Sequence, residues 1–209
     1  MSFEPQNTAG AADAARSPSA DEEPVWLIPV SFWPRVGARI IDILVSMALA
    51  AIIGILVGII LVVLQETGIV PGALAHRTDK SSVLSNILFT LGLVGYHAAC
   101  EAIGGATIGK LVLGIRVCSP NSTPCTVKGA IIRSFAFLID GLFFGIVAYS
   151  TMSKSSLRQR LGDQWGDTLV VRASSLPKRA PGGQVALGIV AGIAVYSAVT
   201  FVTLLVDGF

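Results

Sequence analysis

Ile43 to Leu64 and Val185 to Val206 contain no charged residue. A hydrocarbon core of about 30 Å is crossed by about 20 helical residues, so each run is long enough to span a bilayer. Within lipid, every backbone N–H and C=O must be satisfied internally, which makes an isolated apolar run a helix. The composition agrees. Hydrophobic residues make up 53% of the 209 positions and charged residues 13%, about half the charged share of an ordinary soluble domain. Mean hydropathy is +0.72. The sequence is that of an integral membrane protein.

Two further apolar segments are less clean. Val83 to Ile103 has the length to span but carries Asn86, His97 and Glu101, and Ser134 to Ser150 is short with Asp140 near its middle. The fold class expected is an all-α membrane protein, a bundle of three to four transmembrane helices. Residues 1–29 are rich in Ala, Ser, Pro and acids, lack a basic stretch followed by an apolar one, and read as a disordered tail. Residues 30–173 form the membrane domain, 174–184 a polar linker and 185–209 an additional C-terminal transmembrane helix.

Lys and Arg in short loops mark the cytoplasmic side. Lys110, Arg116, Lys128 and Arg133 follow the second segment with no acid among them, and Arg35 and Arg39 precede the first, on the same side by helix count. That side, with the N-terminus, is read as cytoplasmic. A simple span by Ser134 to Ser150 would place the basic stretch after it outside, against the rule. A re-entrant segment, broken at Asp140-Gly141, would return it inside. The simple span is favoured and the re-entrant path stays open. Leu113 to Cys118 and Thr168 to Ala173 are short β-branched runs between turn residues, and two isolated strands satisfy their edges by pairing with each other. This small cytoplasmic, hairpin-like pairing requires both on one side. Cys100, Cys118 and Cys125 are expected as free thiols.

Ionisable residues in membrane helices cost about 2.5 to 3.5 kcal/mol at a helix centre on insertion scales, unless paired or facing a wet cavity. In RVGARIID, Arg35, Arg39 and Asp42 share one stripe at about 100° per residue. RSFAFLID repeats the pattern, with Arg133, Ala136, Ile139 and Asp140 at the offsets of Arg35, Ala38, Ile41 and Asp42. Repeated halves of this kind surround the sites of secondary transporters. His97 and Glu101, four apart, share a helical face and can exchange a proton. Arg35, Asp42, Glu101, Arg133 and Asp140 are therefore candidates for an ion or proton pathway, the carboxylates accepting and the arginines tuning their charge. The competing reading is structural: the arginines snorkel to headgroups and the aspartates fix packing.

GGATIGK, Gly104 to Lys110, has the Gly-x-x-x-x-Gly-Lys spacing of a phosphate-binding loop. Leu111 stands where such a loop needs Ser or Thr for magnesium, and a membrane helix precedes it rather than a buried strand. The glycines are read instead as a sharp turn out of the membrane, with Lys110 at the level of the anionic headgroups. His76 and His97 are the only histidines, so no nucleophile has a convincing base and no third ligand completes a metal site. No enzymatic activity and no cofactor are expected. A net charge of +2 without a basic stripe argues against nucleic acid.

Four pieces then stand in order: FWPRVGARIID (Phe32 to Asp42), the E-x-x-x-G-A-T-x-G-K-x-x-x-G-x-R-V run from Glu101 to Val117, Arg133 in GAIIRSF, and RQRLGDQWGDTLVV (Arg158 to Val171). Together, over roughly Val30 to Arg172, they resemble the RDD family of bacterial integral membrane proteins. The resemblance puts the family's arginine and first aspartate on Arg35 and Asp42, and its late L-G-D or L-H-D aspartate on Asp163. Arg39, Gly109, Lys110, Gly114 and Arg116 are the other motif positions. Gly166-Asp167-Thr168 stands where relatives usually read A-G-T. The resemblance implies a multi-pass protein of the cell membrane and, from a sodium–proton antiport role proposed for some members, monovalent cations or protons as transported species. The alternative is a non-catalytic membrane scaffold or accessory subunit, bound to a membrane-protein partner or a second copy.

Overall fold

The computed structural model describes residues 27–69, 83–140, 145–177 and 180–207. The expected tail up to residue 26, most of the loop after the first segment, the Gly141 break and residues 178–179 of the linker lie outside them. Among the described residues, three helices are long and apolar enough to cross a membrane: α1 (Phe32–Glu66), α2 (Val83–Gly104) and α7 (Gly182–Asp207, apolar to Leu204). At 1.5 Å per residue, α1 is about 50 Å long, far more than the hydrocarbon core requires. Its charge-free part starts after Asp42, so the first three turns stand at headgroup level and beyond. A cap covers them.

The cap comprises α3 (Ile108–Val112), β1 (Ile115–Cys118), α4 (Val127–Asp140), α5 (Ile146–Lys154), α6 (Leu161–Trp165) and β2 (Leu169–Arg172). The expected strand pairing forms: β1 and β2 run antiparallel, with Ile115 opposite Arg172 and Cys118 opposite Leu169. The other edge of β2 is covered by the chain ahead of α1. Val30 N donates to Val170 O at 2.9 Å, and Arg172 N to Ile28 O at 3.0 Å. Val30, Ala38, Ile115, Val117, Cys125, Ala130 and Val170 form the core beneath. Cys100, Cys118 and Cys125 are free thiols. Burial pushes those of Cys118 and Cys125 up to about 11.

The strand pairing also determines the path of the third segment. β1 precedes α4 and α5, β2 follows them, and the two strands are bonded to each other, so the chain returns to the side it left. α4, with 14 residues, is about 21 Å long, and α5 is shorter, so neither crosses the core. The simple span favoured from sequence gives way to a re-entrant hairpin, whose Ile131, Phe135, Leu138, Ile146 and Tyr149 are exposed as a lipid-facing surface would be. The basic stretch from Lys154 onward thereby shares a side with Lys110 and Lys128, and its conflict with the orientation rule disappears.

The two halves are built alike. α1 packs on α3, which leads into β1, and α4 packs on α6, which leads into β2. Gly109, the second residue of α3, lies against the backbone of Ala38, where a Cβ would overlap the Ala38 carbonyl. Gly162, the second residue of α6, lies against α4, where a Cβ would stand 2.8 Å from Ala136 Cβ and 3.2 Å from Arg133 Cα. The arginine–alanine–aspartate spacing of α1 and α4 is thus the trace of a structural repeat.

α7 packs along α2 through small residues. A Cβ at Gly188 would stand 2.9 Å from Gly104 N, and one at Gly192 would stand 3.0 Å from Tyr96 O. Such contacts matter in lipid, where close packing replaces the hydrophobic drive between helices.

Candidate functional site

Charged side chains from both halves meet beneath the cap. Asp163, fully buried on α6, is the hub: Arg35 of α1 ion-pairs with it, Arg133 Nη2 lies 3.1 Å from Oδ1, and Arg160 Nη2 lies 3.6 Å from Oδ1. Burial alone would raise its pKa, but the guanidiniums of Arg133, Arg160 and Arg35 outweigh that and hold the carboxyl well below the ordinary range. Glu101, near the end of α2, joins Arg133 Nε at 3.0 Å to Lys110 of α3.

Lys110 is therefore buried rather than at the headgroups. α3 turns back under the cap after Gly105 (φ +67°), one helical turn past Glu101, and the amine finds that carboxylate instead. The repeat explains why Glu101 is needed. Lys110 follows Gly109 as Asp163 follows Gly162, so the charge at this place is inverted between the halves, and Glu101 lies between the two cations Lys110 and Arg133.

Asp42 and Asp140 occupy equivalent places but differ in their partners. Asp42 accepts from Thr107 Oγ1 at 2.6 Å, Gly109 N at 2.8 Å and Tyr96 Oη at 3.2 Å. It ties α1 to the start of α3 and to α2. Asp140 faces the amides of Gly162 and Leu161 at the start of α6 more loosely. Among the described residues, neither of its oxygens makes a hydrogen bond within normal geometry, and its ion pair with Arg160 Nε is long, at 3.8 Å.

Arg39 is the odd cation. Its guanidinium donates to His97 Nε2 and lies over the Phe137 ring, 3.8 Å from the centroid, and it has no ion pair among the described residues. A cation–π contact contributes up to about 2 kcal/mol, whereas desolvating an ion costs several. Arg39 is thus under-compensated, and among the described residues its buried Nε has no acceptor. Among the described residues, Ser134 Oγ is likewise without a hydrogen-bond partner, and Arg160 Nε has only its long ion pair with Asp140.

These groups border a cavity of about 290 Å³ between α1, α2, α4 and α5. Its polar lining includes Arg39, Ser134, Asp140 and Arg160, and its apolar lining includes Ile40, Phe137 and Met152. That volume is at the small end of ligand pockets, ~300–1,000 Å³, and suits an ion or a single headgroup.

The RDD family model matches residues 29–167. The chain belongs to the RDD family. No curated protein and no solved structure matches it. All five pathway candidates, Arg35, Asp42, Glu101, Arg133 and Asp140, border the cavity, as do Arg39 and Lys110 of the motif. Asp163 anchors them from behind. Gly114 and Arg116 lie away from the cluster: Gly114 (φ +62°) turns the chain into β1, and Arg116 Nη1 donates to Gly104 O at 3.4 Å. Asp167, the last residue of the matched region, takes a left-handed φ of +48° and is exposed, a conformation aspartate tolerates better than most residues. The sequence reading gave no role to Arg160, Phe137, Tyr96 or Thr107. Arg160 alone carried a signal, three residues before Asp163 in a motif.

Proposed function

We propose that this RDD protein is a proton-coupled transporter of a small ion, that the cavity is its working site, and that Asp140 is the group that gains and loses the proton. The observation that carries this is a buried carboxylate facing a cavity, with neither oxygen in a well-formed hydrogen bond among the described residues. A buried polar group left unsatisfied costs about 1 to 3 kcal/mol, and its persistence in a native fold calls for a reason such as function. Arg160, at 3.8 Å, is near enough to stabilise the ionised form and loose enough to release it. Asp42, held by three donors, serves the fold. The cap side, which carries every lysine and arginine among the described residues, is read as the cytoplasmic face of the cell membrane.

Proteoliposomes under a pH gradient test this with sodium, potassium, chloride and phosphate in turn. One of them should move with proton flux, and Asp140→Asn should lower that flux at least tenfold without changing insertion or thermal stability. A wild-type protein inert to all four, or an Asp140→Asn variant with undiminished flux, would falsify the reading. The first result would turn attention to a scaffold role, sought as a co-purifying membrane partner.

A further inference from the structure

We propose that the cavity is a binding site for an oxyanion, a phosphate or carboxylate group, received by Arg39, Ser134 and Arg160. This names the ligand class of the site proposed above and rests on that reading only for the cavity being the place of work.

Three observations carry it. The first is charge. Among the described residues of the cluster, Arg35, Arg39, Lys110, Arg133 and Arg160 face Asp42, Glu101, Asp140 and Asp163. One positive charge is uncompensated, and it falls at Arg39, whose partners are an imidazole and a phenyl ring. A monovalent cation would meet that excess as repulsion; an oxyanion would neutralise it.

The second is unused donor capacity. Among the described residues, Arg39 Nε and Ser134 Oγ are buried without a hydrogen-bond partner, Arg160 Nε has only its long ion pair with Asp140, and all three belong to residues lining the same cavity. The two guanidiniums flank one ring, with their central carbons 3.8 and 6.0 Å from the Phe137 centroid. Guanidinium donates and does not accept, and its planar fork matches phosphate and carboxylate.

The third is depth. Arg39 lies one residue short of a turn outside Asp42, about 4.5 Å along the axis, where the charge-free part of α1 gives way to the headgroup zone. Ile40 lines the cavity and is also 53% exposed on the outer surface of α1. A lipid phosphate and a free oxyanion share the chemistry that this site would recognise.

The test uses the full chain in phosphatidylcholine nanodiscs. One arm titrates inorganic phosphate and acetate by calorimetry at constant ionic strength; the other replaces part of the phosphatidylcholine with phosphatidic acid and counts lipids retained by native mass spectrometry. Saturable binding in either arm is expected, and the arm that shows it identifies the source. Arg39→Gln should weaken it at least tenfold and Arg39→Lys less, while Lys128→Gln at an exposed position should leave it unchanged; size-exclusion profiles verify folding. No binding in both arms, or binding indifferent to both Arg39 variants, overturns the proposal. Flux without oxyanion binding overturns it while sparing the transport reading, and binding without flux does the reverse.

Discussion

Asp42 and Asp140 stand at the same place in two like halves, one closed and one open. In the first half the carboxylate is filled by a hydroxyl, a phenol and an amide, and the glycine of α3 touches the α1 backbone. In the second, the carboxylate faces its short helix loosely, and a Cβ at the corresponding glycine would meet a methyl group at 2.8 Å and a carbonyl only at 3.2 Å, whereas one at Gly109 would overlap the carbonyl. A duplicated plan thus places fold-keeping in α1 and α3 and leaves spare polar capacity in α4 and α6. Where the halves meet, Asp163 takes guanidiniums from both, and its buried charge binds them into one body.

That junction is where the comparison breaks most completely. Asp163→Asn leaves three guanidiniums around a neutral amide. Removing one partner of a buried ion pair costs about 3 to 5 kcal/mol, so the cap should unfold, read as a lost thermal transition and rapid proteolysis between β1 and β2. Survival of the native transition would mean that Glu101 alone can hold the halves together.

The glycines come next. Gly109→Ala drives a methyl into a backbone carbonyl, whereas Gly162→Ala meets a methyl at 2.8 Å; overpacking of the second kind costs about 1 to 3 kcal/mol. Thermal shift in detergent should rank Gly109→Ala as clearly the worse. Equal penalties would remove the difference in tightness between the halves.

The aspartates follow. Asp42→Asn forfeits hydrogen bonds to an ionised acceptor, about 1.5 to 3 kcal/mol each, and should lower the melting midpoint by several degrees. Asp140→Asn should change it by less than about 1 kcal/mol and act on flux instead. The reverse ranking would exchange the roles assigned to the two.

The smallest effect expected is with acid. Asp163 is held below the pKa of an unfolded aspartate, about 3.9, so the native state binds fewer protons than the unfolded one near that pH. The stability it contributes is complete above about pH 4 and is lost as pH falls through the folded value. Thermal midpoints measured from pH 7 down to pH 5 should therefore show no loss from this group. A decline already present there would mean that the three guanidiniums do not reach it together.

Much of this plan was legible in the sequence because its signals are local. Uncharged runs give α1 and α7, β-branched runs between turns give β1 and β2, and the spacing of Arg35 to Asp42 recurs from Arg133 to Asp140. What escaped depends on partners far apart in the chain. Lys110 looked like a headgroup anchor because the position of Glu101 across the α3 turn is a matter of three dimensions. Arg35 and Asp163, 128 residues apart, carry no mutual mark in either motif. The re-entrant path followed from the strand pairing, but length alone favoured a span, because a hairpin of two short helices and one simple crossing have much the same hydropathy.

The glycine contacts between α2 and α7 have a consequence for how the protein comes into being. Synthesis delivers α7 after α2 and the cap, so the face of α2 bearing Gly92, Gly95 and Gly104 meets lipid until α7 arrives. His97 and Glu101 ride on that same helix. Assembly of the charged centre is thus coupled in time to a helix that lies beyond the matched family region, and shortening the chain ahead of α7 would expose an unfinished bundle to the membrane's quality control.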